Sequence, residues 1–292
     1  MNPTTSEITV AGRKVALVRA GPDRGEAVLL VHGGRPGVSP IASGSHLWSS
    51  AIPHLGCRPL LAVDLPGAGG SELGSPAILE VDGIGRHLLA ILDAVALPSV
   101  HFVGHDLGGL VGLLLAVSAP GRLRSLTLVA SGVSAPTGDG LDDIVFDAAP
   151  LPRWSRLSQY WAFERVSYAH PHIDDALLAA CVAAAGGRPH RDAAAAMADD
   201  GPRARNFAVP AAKGKIWEAL RGNGLAVPTQ LVWSGHDPLA TPEGGYALFK
   251  LIAAKQRATQ FHLINRAGSY PFREEPAEFG RLVTAFQDAA DV

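Results

Sequence analysis

A series of short, unbroken apolar runs sets the strongest limit on how this chain can fold. Ala27-Val28-Leu29-Leu30-Val31 is the clearest, and residues 59–63, 100–103, 125–129, 229–233 and 259–264 are of the same kind. Each has the length of a strand, and the clearest lacks the apolar–polar alternation of a half-solvated one. Such runs suit strands covered on both faces, as in a parallel sheet flanked by helices. Stretches with helical character, among them residues 80–96 and 107–118, lie between most of the runs. Strand and helix alternate, so the sequence predicts an α/β fold with a mostly parallel central sheet and helices on both faces. Ile8-Thr9-Val10 and Val15-Ala16-Leu17-Val18, joined by a turn at Ala11-Gly12-Arg13, read as an antiparallel hairpin ahead of it.

The alternation stops between Ser134 and Asn223. This stretch carries alanine-rich helical segments at 176–185 and 192–199, and the aromatics Trp154, Tyr160, Trp161, Phe163 and Tyr168. It reads as a helical cap inserted into the α/β core. The expected division is core at 1–133, cap at 134–223 and core again at 224–292. Most of the aromatics are expected to glue the cap down, with Tyr160 and Trp161 as candidates to line a substrate pocket.

Composition narrows the function. The chain has 292 residues, 47% of them apolar, and a formal net charge of −2. With no basic run there is no footprint for nucleic acid. No stretch is long and apolar enough for a membrane span, and the first residues do not read as a signal peptide. A soluble cytoplasmic protein acting on a small molecule is the expectation, and a homodimer is left open. Cys57 and Cys181 lack metal-ligand spacing and read as small buried residues. No metal and no cofactor is expected.

Ligands of open α/β sheets bind at the carboxyl ends of the strands. Four loops there carry reactive groups. Val103-Gly104-His105-Asp106-Leu107-Gly108-Gly109 runs strand, tight turn, helix. That is the shape of a nucleophile elbow, with Asp106 at the position usually held by serine. His32-Gly33-Gly34-Arg35-Pro36-Gly37 is a glycine loop; an amide of Gly33 or Gly34, with that of Leu107, is expected to form an oxyanion hole. His32 and Arg35 are candidates for substrate contact. Ser234-Gly235-His236-Asp237-Pro238 places Asp237 as the acid of a triad or as a turn-starting residue. The glycine-rich loop from Asp64 to Ser71 reads as a rigid turn, since no lysine follows it in phosphate-binding spacing.

Together these motifs resemble the α/β-hydrolase fold over nearly the whole chain. Within it the glycine loop, Val232-Trp233 with Asp237-Pro238, and Asn265-Arg266-Ala267-Gly268 with Pro271-Phe272-Arg273 look most like meta-cleavage-product hydrolases, which break carbon–carbon bonds. The aspartate in Gly-His-Asp-Leu-Gly-Gly is instead similar to epoxide hydrolases and dehalogenases, which use a carboxylate nucleophile. The resemblance implies a histidine where this chain has Ser269. Tyr270, beside it, is a further candidate for substrate contact.

Without that histidine an Asp106 ester lacks its usual base, a contribution typically worth about 10²–10⁴ in rate. Asp106 and Asp237, if close, resist double ionisation, and one pKa rises. The first expectation is therefore cofactor-independent acid–base chemistry by Asp106: a lyase, isomerase or cyclase acting on an oxygenated, largely apolar molecule. The alternative is a hydrolase of an epoxide, ester or C–C bond, with Asp106 as nucleophile and His105 or His236 as substitute base. A third is an inactive relative that binds its ligand.

Overall fold

The computed structural model describes residues 3–56, 58–136 and 149–291, without the side chains of residues 200–205. Cys57 lies outside the described residues. The hairpin is present as β1 (Thr4–Val10) and β2 (Arg13–Ala20), paired antiparallel. The apolar runs become β3 (Val28–Val31), β4 (Leu60–Val63), β5 (Val100–His105), β6 (Leu123–Val129), β7 (Thr229–Ser234) and β8 (Thr259–Ile264). They form one eight-stranded sheet in the order β1-β2-β4-β3-β5-β6-β7-β8. β2 meets β4 antiparallel, and every later pairing is parallel.

The middle strands are wholly buried, which is why their sequences are apolar without alternation. α1 (Val81–Ala94), α2 (Leu107–Ser118), α7 (Pro242–Ala253), α8 (Pro271–Glu274) and α9 (Pro276–Ala290) pack around them. The two faces can be told apart on β5. Phe102 lies against Gly112 of α2, whereas its neighbour His101 reaches Asp291, just past α9. α2 is apolar nearly all round and buried from Leu107 to Ala116, as a helix at the centre of a core must be. Trp48 stacks on Phe272 at 4.2 Å, and both contact Phe279 of α9.

Between β6 and β7 the described residues form α3 (Arg156–Val166), α4 (Asp175–Gly186), α5 (Arg188–Arg205) and α6 (Val209–Gly222), and no strand. Ser155 and Asp174 cap α3 and α4 by accepting the amides of Ser158 and Leu177. These helices are called the insert below. Among the described residues no helix is long and apolar enough to cross a membrane.

Candidate active site

β5 ends at His105 and α2 begins at Leu107, so Asp106 alone makes the turn between them. Its φ of 45° and ψ of −115° are costly for any residue with a side chain. Neighbours hold it there. The Asp106 amide donates to the Val129 carbonyl at 3.1 Å, and the Ser131 hydroxyl donates to the Asp106 carbonyl at 2.6 Å. The helix doubles back so tightly that a Cβ at Gly104 would strike the Gly108 backbone. The glycines around Asp106 are thus a packing requirement of the elbow. They are also why it could be read from the sequence.

The glycine loop after β3 runs directly over this turn. Gly33 lies so close that a Cβ there would sit 2.6 Å from the Cβ of Asp106. The Gly34 amide donates to Oδ2 of Asp106 at 3.0 Å. The Gly34 amide, expected as an oxyanion donor, thus holds the carboxylate of Asp106 itself. His32 anchors the loop: its Nδ1–H donates to the Gly33 carbonyl at 2.8 Å, and its Nε2 accepts from the Leu65 amide at 3.0 Å. With both ring nitrogens engaged, His32 is a loop brace and not the substrate contact expected. Asp64 braces the neighbouring loop by accepting the amides of Ser45 and Gly70. Beside Gly34 lies a narrow cleft lined by Arg35, Ile41, Ser43, Ala68 and His190 among others. Arg35 is buried in its wall. His190 comes from α5, and no local pattern in the sequence marks it.

Asp237 and Ser269 meet after β7 and β8. The Ser269 hydroxyl donates to Oδ1 of Asp237 at 2.6 Å, and the amides of Leu239 and Ala240 donate to the same oxygen at 2.8 and 3.0 Å. Oδ2 is buried with no hydrogen-bond partner among the described residues. Burial, more than anything else, raises the Asp237 pKa; the nearby Asp106 charge adds the smallest contribution. One carboxyl of the pair is raised, as the sequence implied, but for a different reason. The two aspartates do not compete for a proton across an open gap. Ser269 stands on Asp237, and the protein interior does the rest.

Neither candidate histidine is placed to replace the missing base. His236 is exposed and packs on Tyr168 at 4.4 Å. Nε2–H of His105 donates to the Ser269 carbonyl at 2.9 Å, and its buried Nδ1 faces Gly33. Burial lowers its pKa, so the ring is neutral. His105 therefore ties the elbow to the Ser269 loop. The aromatics are also sorted by the fold. Tyr160 is exposed, and Trp161 is half-buried beneath Arg165. The insert aromatic that packs on Tyr270 is Phe163, its ring 5.1 Å away. Tyr270 also packs on His105 at 5.0 Å, and burial keeps its phenol protonated well above the usual range. Cys181 of α4 is buried, its thiol pushed up to about 12.

The model of the alpha/beta hydrolase fold matches residues 26–276. The chain belongs to the α/β-hydrolase fold family. It is 31% identical over 270 residues to a 2-hydroxy-6-oxo-2,4-heptadienoate hydrolase of Pseudomonas putida, covering 91% of each chain. It is 34% identical over 161 residues to a 2-hydroxymuconate semialdehyde hydrolase of a Pseudomonas species, covering 54% of this chain and 55% of the relative. A structure of the meta-cleavage product hydrolase CumD from Pseudomonas fluorescens superposes with a TM-score of 0.77 at 22% identity, over 98% of each chain. The epoxide hydrolase CorEH superposes with a TM-score of 0.71 at 15% identity, over 99% of each chain. These likenesses overturn the expectation of a lyase, isomerase or cyclase. Both of these relatives are named hydrolases, and the alternative reading from the sequence is the better one.

Proposed function

We propose that this chain is a hydrolase that forms an ester between Asp106 and a carbon of its substrate. The observation that carries the reading is the Gly34 amide on Oδ2 of Asp106. It leaves Oδ1 to attack. When water later attacks the ester carbonyl, Oδ2 becomes the oxyanion, and its donor is already in place. Acyl or C–C chemistry would need that amide for a substrate oxygen instead. A carboxylate attacking an acyl carbon also gives an anhydride, whereas attack on a saturated carbon gives an ester. An epoxide on a small, largely apolar skeleton is therefore the substrate class favoured.

The steps balance without a cofactor. Oδ1 of Asp106 bonds to an epoxide carbon, the C–O bond breaks, and the alkoxide takes the Tyr270 phenolic proton. Water then adds to the Asp106 carbonyl carbon. Its proton passes to the Ser269 oxygen as the Ser269 hydroxyl proton moves to Asp237. Collapse expels the diol oxygen, which takes that proton back; Asp106, left as a carboxylic acid, gives up its proton as the Tyr270 phenolate regains one, and both return to their starting states. Asp237 suits this role because burial makes it a stronger base than an ordinary carboxylate.

Single turnover of a styrene-type epoxide in heavy-oxygen water tests the reading. Label in the Asp106 carboxylate is expected after turnover. Diol formation with Asp106 unlabelled would overturn it.

A further inference from the structure

The loop that carries Ser269 is hydrogen-bonded to the insert. The Ser269 amide donates to the Val166 carbonyl, at the end of α3, at 2.7 Å. Gly268 runs so near that a Cβ would collide with the same carbonyl and press on Ser167. Glu274 of α8 closes the arrangement. Its Oε2 accepts the amides of Tyr168 and Ala169 at 2.8 and 3.0 Å, and its Oε1 accepts the Gly268 amide at 2.9 Å. Arg273, the next residue back, donates to the His172 carbonyl of the insert at 3.1 Å and to the Leu47 carbonyl of the core at 3.0 Å.

The geometry points to Glu274 as a positioning residue that clasps the insert to the Ser269 loop and so sets where the Ser269 hydroxyl stands. A carboxylate can do this because it is acceptor-only and takes all three amides at once. An amide in its place offers one acceptor oxygen and turns an NH₂ toward a donor. The clasp bears directly on the Ser269 loop, whereas the Asp106 backbone is held by Val129 and Ser131. It therefore acts chiefly on the water step; Tyr270, on the same loop, is also seated by the rings of His105 and Phe272. This assignment rests on the proposed ester mechanism for its kinetic consequence, and on the hydrogen bonds alone for its structural one.

Glu274→Gln tests both parts. Amide exchange at Tyr168, Ala169 and Gly268 is expected to rise by about tenfold or more, with β5 unchanged. With the epoxide probe, loss of the ester should slow by about tenfold or more and its formation, which needs Tyr270 of the same loop, by several-fold less, so the Asp106 adduct accumulates. Gly268→Ala attacks the same contact from the other partner and should give the same split. Unchanged exchange at the three amides overturns the clasp, as does equal slowing of formation and loss. If the wild-type enzyme forms no Asp106 ester, the proposed mechanism fails, and the exchange measurement alone decides the clasp.

Discussion

The two aspartates of the site stand at the ends of β5 and β7 and are held in opposite ways. Asp106 is half-buried, on a strained backbone, with the Gly34 amide on one carboxylate oxygen. Asp237 is buried, with three donors on Oδ1 and none on Oδ2. In the proposed mechanism the first has one oxygen to spend, and the second, fixed in place, stores a proton. On that reading the same side chain is nucleophile or base according to which strand end carries it and what surrounds it.

The largest test of this contrast is at the nucleophile. Asp106→Ala should remove turnover by about 10³-fold or more with the fold intact, read as kcat on the epoxide and by circular dichroism. Residual turnover near the wild-type rate would end the contrast. Asp237→Asn and Ser269→Ala should each slow ester loss by about 10²–10³-fold and trap an Asp106 adduct visible by intact mass. Equal loss of both half-reactions would place Asp237 with Asp106 in the first step.

pH separates the two further. Asp237 works as a base only when ionised, so ester loss should fall as pH drops through its raised pKa. That acid limb should lie above the ordinary carboxylate value of 3.8 and vanish in Asp237→Asn. Because the folded chain holds this proton more tightly than the unfolded chain, stability credited to Asp237 is lost as pH rises through the same window.

The strain at the elbow gives a smaller effect. With the carboxylate gone in both variants, Asp106→Gly should be more stable than Asp106→Ala by about 1 kcal/mol, since only glycine accepts this backbone freely. Urea unfolding measures it, and equal stabilities would show that the turn is unstrained. The smallest effect is expected at His236. His236→Ala should leave kcat within about twofold, because the ring lies outside the site on Tyr168.

What the sequence disclosed follows one physical rule. β3 to β7 and the elbow are local: apolar runs make buried strands, and the glycines around Asp106 are forced by the turn they sit in, whereas β8 at the sheet edge is only partly buried. The helix expected over residues 107–118 forms over those same residues. The roles of the histidines were not legible, because His32, His105 and His236 have the same chemistry and differ only in surroundings. One braces a loop with both nitrogens, one bridges two loops, and one is on the surface. Phe163 and Tyr160 lie three positions apart on one helix, and only the packing of α3 shows that Phe163 meets Tyr270.

The sequence by itself determined the sheet, the elbow and the absence of a histidine from the loop that ends β8. Those are properties of neighbouring residues and of their periodicity. The tertiary structure alone decided that Ser269 donates to Asp237, that the Gly34 amide holds Asp106, and that Glu274 joins the insert to the Ser269 loop. These partners lie 32, 72 and 106 residues apart. No local pattern encodes a hydrogen bond across such a distance, and burial, which sets the pKa of Asp237, exists only once the chain has closed around it.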